Sequence, residues 1–268
     1  MHYIKGVNNN MENIKGIIDG LSRHKNIVAI TLGGSRATGN NDAKSDYDMY
    51  IYYDEAIDKD FRKSVLEQYC GHMEIAVDYF EEEDDCILNN GIIIELIYRN
   101  ISDIRNYVEN LMTQHQASLG YTTCFLDNLT ASKVLYEDNG CYTDLKNRIF
   151  YPEELRQNII SKNMEMLHGV IASYDTQIIK AYQRQDMISV NHRIAAYLAS
   201  YFDILFAVNK VYHPGEKRLI ALAKKKCSKL PVNFEHDINQ LLNLTDIEQT
   251  LDSLYQNLKL LCCDSCGR

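Results

Sequence analysis

Gly34 and Ser35 are followed, after the ten residues 36–45, by Asp46-Tyr47-Asp48. The run from Asp46 to Tyr53 alternates in the manner of a strand, and side chains alternate across a strand, so Asp46 and Asp48 point to one face. Two neighbouring carboxylates repel each other and cost stability unless a cation sits between them. Mg²⁺ is a hard ion that takes oxygen ligands, commonly one or two carboxylates plus substrate phosphates. The pair is therefore shaped to hold Mg²⁺ against a triphosphate. Upstream, Gly33, Gly34 and Ser35 end an apolar run. Small residues there let backbone N–H groups approach a phosphate closely, and Ser35 adds a hydroxyl donor. Without that glycine-serine break, Asp-x-Asp would read as a polar loop-to-strand junction.

The elements that must position these residues can be read from periodicity. Residues 11–24 predict a helix with Ile14, Ile17, Ile18 and Leu21 on one face. Asn26 to Leu32 predicts a buried strand, Arg36 to Ser45 a polar loop, and Asp46 to Tyr53 a second strand. A helix over 60–69, a strand over 73–80, an acidic turn at 81–85 and a strand over 91–98 follow. After about residue 102 the pattern turns helical, with helices expected over 102–117 and 124–137. Pro152 opens another helix, with Glu153 and Glu154 placed where acids favour the helix dipole. A long helix is expected over 186–212, with His192 as a satisfied core histidine on its apolar face. Thr245 and Glu248 read as a capping box before Leu251, Leu254 and Leu258. The fold class is thus α+β, a small mixed β-sheet domain over 1–118 followed by a helical bundle over 119–268.

The order and spacing of Gly34-Ser35, ten residues and Asp46-Tyr47-Asp48 on a strand resemble the signature of the DNA polymerase beta-like nucleotidyltransferase superfamily. A small catalytic domain followed by a helical half is most similar to the nucleotidyltransferases that adenylylate aminoglycoside or lincosamide antibiotics. The resemblance implies a Mg²⁺-dependent transfer of a nucleoside monophosphate, AMP from ATP, to a hydroxyl of a small acceptor. It also implies a third carboxylate on a later strand, and two places compete for it. Glu74 and Asp78 fall on one face of the 73–80 strand, opposite Met73, Ile75 and Val77, the ordinary pattern of a half-solvated strand. Glu95 sits within Ile92-Ile93-Ile94-Glu95-Leu96-Ile97, apolar on both faces, where an ionised Glu is costly unless paired or metal-bound. Glu95 is the favoured third carboxylate, which the resemblance implies would ligate a second metal, accept the proton of the attacking hydroxyl, or both, and an ion pair with Arg99 is its ordinary alternative. Arg36, next to Ser35, is within reach of a triphosphate, although a solvated loop arginine has the same sequence. Lys217 and Arg218 follow the break His213-Pro214-Gly215, and the resemblance implies a clamp on the β- and γ-phosphates. Their ordinary reading is surface charge at a helix start.

Composition bounds the partners. The formal net charge is −9 over 268 residues, and the basic run Lys224-Lys225-Lys226 reads as a solvated helix end rather than a phosphate-neutralising face. A small acceptor is expected rather than long nucleic acid. A nucleotide-binding regulatory or antitoxin-like protein, and transfer to protein or tRNA, are the rival readings. Among the eight cysteines, Cys263 and Cys266 form one CxxC that lacks a second ligand pair for zinc. No apolar run reaches membrane-spanning length and the N-terminal residues lack a secretory pattern, so a cytoplasmic location is expected.

Overall fold

A computed structural model describes residues 3–39 and 45–265. It opens with α1 (Tyr3–Leu21), β1 (Ile27–Leu32), a short α2 (Gly34–Thr38) and β2 (Tyr47–Tyr53). Then come α3 (Lys59–Leu66), β3 (Cys70–Asp78), β4 (Glu82–Leu88), β5 (Ile93–Asn100), α4 (Ile101–Met112), α5 (Cys124–Ala131), β6 (Lys133–Glu137) and α6 (Cys141–Asn147). The remainder is helical: α7 (Glu153–Leu167), α8 (Tyr174–Gln183), α9 (Met187–Val208), α10 (Leu219–Lys226), α11 (Phe234–Leu242) and α12 (Ile247–Ser265). The class is α+β, as expected. The chain divides into two compact units, Met1–Glu109 with Asn128–Ile149, and Asn110–Asp127 with Phe150–Arg268.

The first unit is built on a six-stranded sheet of order β3-β4-β5-β2-β1-β6. Among the described residues only the β2–β5 pairing is parallel. One sheet face is apolar: Ile30, Met49, Ile51, Ile94, Leu96 and Tyr98 pack with Ile14, Ile17 and Leu21 of α1 and with Val65 and Leu66 of α3. Asp58 caps α3, its carboxylate accepting from the N–H groups of Asp60 and Phe61. Alternation then sends Asp48, Tyr50 and Tyr52 of β2, and Glu95, Ile97 and Arg99 of β5, to the opposite face.

Four expectations in this unit need correction. The acids at 81–85 do not form a turn, because Glu82–Leu88 is a strand between β3 and β5. Residues 124–137 are not one helix, because Ser132 ends α5 and Lys133–Glu137 pairs with β1 at the sheet edge. The expected loop 36–45 begins as helix α2, closed by Gly39 in the left-handed region, and 40–44 lie outside the described residues. In β3 the register shifts between Glu74 and Val77, and Ala76 has a φ of 56°. That bulge breaks strict alternation: Glu74 lies opposite Asp85 and Asp78 opposite Glu82, so the two acids point to different faces.

The second unit centres on α9, whose Val190, Ile194, Tyr197 and Tyr201 are buried against α7, α8, α11 and α12. Asp186 caps α9 by accepting from the Ser189 N–H. The first turns of α9 bury Val190 and Ile194 and leave Ile188 75% exposed, and His192 is exposed rather than a core histidine. α12 begins at Ile247, so Thr245 is not its cap. Instead the Thr245 carbonyl accepts from the Thr250 hydroxyl. Buried Asp203 ties the segment before α5 to the bundle, accepting from the Thr122 N–H and hydroxyl and from Asn163 Nδ2. Burial pushes its carboxyl up to about 7 against the opposing effect of those donors. Among the described residues no helix is long and apolar enough to cross a membrane. Cys266 of the CxxC lies outside the described residues.

Candidate active site

The turn after β1 lies against the carboxylate of β2. The Gly33 N–H donates to the Asp48 carbonyl at 2.8 Å. A Cβ on Gly34 would stand 1.8 Å from Asp48 Oδ2, and Gly34 has a φ of +59°, so both space and backbone require glycine there. A Cβ on Gly33 would stand 2.4 Å from the Tyr50 ring. Two consecutive glycines therefore let the backbone leading into Ser35 lie directly on Asp48 and Tyr50.

Strand register supplies the next acid. Asp48 pairs with Glu95 across the parallel β2–β5 ladder, and Glu95 pairs with Asp85 across the antiparallel β4–β5 ladder. Asp85 in turn faces Glu74. Directly opposed residues share a face, so Asp48, Glu95, Asp85 and Glu74 form a row of carboxylates across four strands. Burial raises the Glu95 carboxyl above the usual carboxylate range, and the charges of Asp48, Asp85, Asp46 and Glu83 raise it further. Asp85 and Glu83 are raised in the same way, first by burial and then by neighbouring acids. Arg99, the alternative partner for Glu95, directs its fork to Glu81, with Nε and Nη2 each 2.7 Å from a carboxylate oxygen. It also stacks over Tyr50 at 4.3 Å and donates to Asn128.

Arg36 is engaged with the chain that precedes Asp48. Its Nε lies 3.0 Å from the carbonyls of both Ser45 and Asp46, its Nη2 also donates to Ser45, and its guanidinium stacks on Tyr47. Lys217 and Arg218 belong to the second unit, exposed in the turn before α10, where Arg218 has a φ of 57°. The structure thus brings Gly34, Asp48 and Glu95 together and sets Arg36 against the approach to them. Asp85, Tyr50 and Asn128 escaped the sequence reading. The unbroken run of acids at 81–85 was the signal for Asp85; nothing local marked Asn128, which arrives from α5.

A divalent ion can be tested against this donor set. Among the described residues no three His, Cys, Asp or Glu side chains are grouped so as to hold a metal. Mg²⁺ does not require such a cage, because it is commonly held by one or two carboxylates together with substrate phosphates. A row of carboxylates beside the Gly33-Gly34 turn, with Glu95 and Asp85 raised by burial and neighbouring acids, has the chemistry for that arrangement.

Comparison with known families bears on the part of the chain that carries this sheet. Residues 15–106 match the family described as Polymerase beta, Nucleotidyltransferase, and residues 121–219 match a domain of unknown function, DUF4037. Residues 15–106 are therefore a polymerase beta-type nucleotidyltransferase domain, and the protein is a nucleotidyltransferase. No curated protein matches the sequence. Similar solved structures include a nucleotidyltransferase-like protein from Exiguobacterium sibiricum, at 11% identity over 94% of this chain and 74% of that one, with a TM-score of 0.46. Spectinomycin adenyltransferase from Enterococcus faecialis, with ATP and spectinomycin, matches at 14% identity over 93% and 99% of the two chains, TM-score 0.32. The Thermotoga maritima CCA-adding enzyme complexed with tRNA matches at 11% identity over 96% and 81%, TM-score 0.30. Likeness at this level identifies no acceptor.

Proposed function

We propose that this nucleotidyltransferase moves AMP from ATP to a hydroxyl of a small molecule, antibiotics being one such class. The observation that carries the reading is the in-register placement of Glu95 beside Asp48, beneath the Gly34 turn. In this reading Asp46 and Asp48 hold Mg²⁺, and the backbone at Gly34 with the Ser35 hydroxyl holds phosphate oxygens. Bound Mg²⁺ would supply charge neutralisation at the triphosphate and at the attacking oxygen. Glu95, with its raised pKa, is suited to take the proton of the acceptor hydroxyl as its oxygen attacks the α-phosphorus and pyrophosphate leaves. Net charge of −9 and the carboxylate row favour a small acceptor over a polyanionic one.

Incubation with ATP labelled at the α-phosphate, Mg²⁺ and panels of hydroxylated small molecules, proteins and tRNA tests both reaction and acceptor. Label is expected on a small molecule; label on protein or tRNA overturns the acceptor. Asp46→Asn or Asp48→Asn should lower transfer on the order of a thousandfold while the circular dichroism spectrum is kept. Full activity in either variant would sink the assignment of the metal pair.

A further inference from the structure

Asp46 and Asp48 are not held in the same way. Asp48 lies within the ladder: it pairs with Glu95, and its carbonyl accepts from Gly33. Asp46 precedes the first paired residue of β2, Tyr47, and among the described residues no strand pairing includes it. The group that grips it is Arg36, whose planar fork reaches the carbonyls of Ser45 and Asp46 and whose face covers the Tyr47 ring at 3.9 Å. One side chain therefore fixes three consecutive residues immediately before Asp48. Arginine suits this task because its donors lie in one rigid plane, while lysine presents a single rotating ammonium.

From this geometry we infer that Arg36 is a positioning residue for the metal-binding pair: it orients Asp46 through the backbone of 45–47 and does not act as a phosphate ligand. The inference rests on the proposed roles of Asp46 and Asp48. With Nε and Nη2 turned to main-chain carbonyls and its face on Tyr47, the guanidinium does for Asp46 what the β2–β5 ladder does for Asp48. Loss of the fork leaves Asp48 in place and frees Asp46 to rotate about its own backbone. The site then keeps its charge and loses its geometry.

Mn²⁺ binding to the full chain, measured by electron paramagnetic resonance without nucleotide, separates the possibilities, with kcat and the KM for ATP measured alongside at saturating Mg²⁺. Arg36→Met is expected to weaken Mn²⁺ binding about tenfold, in the range found when a group supporting a metal ligand is removed. It should lower kcat while changing the KM for ATP little. Arg36→Lys should show the same defect, because charge is retained and the fork is not. Unchanged Mn²⁺ affinity in Arg36→Met, with a raised KM that Arg36→Lys restores, would overturn the inference and make Arg36 a phosphate contact. Asp46→Asn is the internal control. If it leaves Mn²⁺ binding and transfer intact, the metal-pair reading itself has failed, whatever Arg36 does. A Tyr47→Leu variant, which removes the stacked ring and leaves the hydrogen bonds, should show a weaker form of the same loss.

Discussion

Asp84 and Asp85 are adjacent on β4 and live in opposite environments. Asp84 is fully buried on the helix-covered face, where the guanidinium of Arg62 grips both its oxygens and Glu82 takes the remaining end of the fork. Tyr98 covers that guanidinium at 3.8 Å, and Asp84 Oδ1 also accepts the N–H of Ala76 at the β3 bulge. Asp85 points the other way, into the row formed with Glu95 and Glu74. The strand pleat alone separates a carboxylate neutralised by the fold from one whose neighbours are further carboxylates. A buried ion pair serves structure. A row of like charges weakens structure, and it suits a site that receives its countercharge from a ligand.

Breaking the structural side of this comparison should have the largest effect. Arg62→Met leaves Asp84 buried without its cation and should lower unfolding stability by about 3–5 kcal/mol in urea titration. Asp84→Leu added to Arg62→Met should recover much of that loss, because the uncompensated charge is gone. If Arg62→Met unfolds like the parent, the pair does not hold the sheet.

The catalytic side responds to pH instead. Glu95 has a raised pKa and must be ionised to accept a proton, so transfer should fall as pH drops through that raised value. Glu95→Gln should lower kcat by about a hundredfold or more and remove the acidic limb of the pH–rate profile. A retained acidic limb would assign the proton to another group. Asp85→Asn is the gentlest probe. Removing one like charge beside Glu95 lowers its pKa, so the acidic limb should move to lower pH, with unfolding stability equal to or slightly above that of the parent. A shift to higher pH would contradict the electrostatic account of the row.

The candidate pair was legible because its signal is local. Gly33, Gly34, Ser35 and Asp46-Tyr47-Asp48 lie within sixteen residues of chain (33–48). Glu95 was legible as a candidate because an acid within an apolar strand is costly. The acids of 81–85 were misread because a dense polar run looks like a turn, and only pairing with β3 and β5 on both sides makes it a strand. β6 was missed because its five residues continue the apolar pattern of α5. The exposure of His192 depends on which helices pack around α9.

The sequence by itself determined the reaction class, the strand that carries Asp48 and the glycine turn before it, because side-chain alternation and glycine's freedom are properties of a short stretch of chain. The tertiary structure decided which charges meet. Arg99 turned to Glu81 rather than Glu95, Asp84 found Arg62 twenty-two residues away, and Arg36 closed on the carbonyls beside Asp46. Ion pairs and strand registers join distant segments through space, and no local pattern of residues specifies such a meeting.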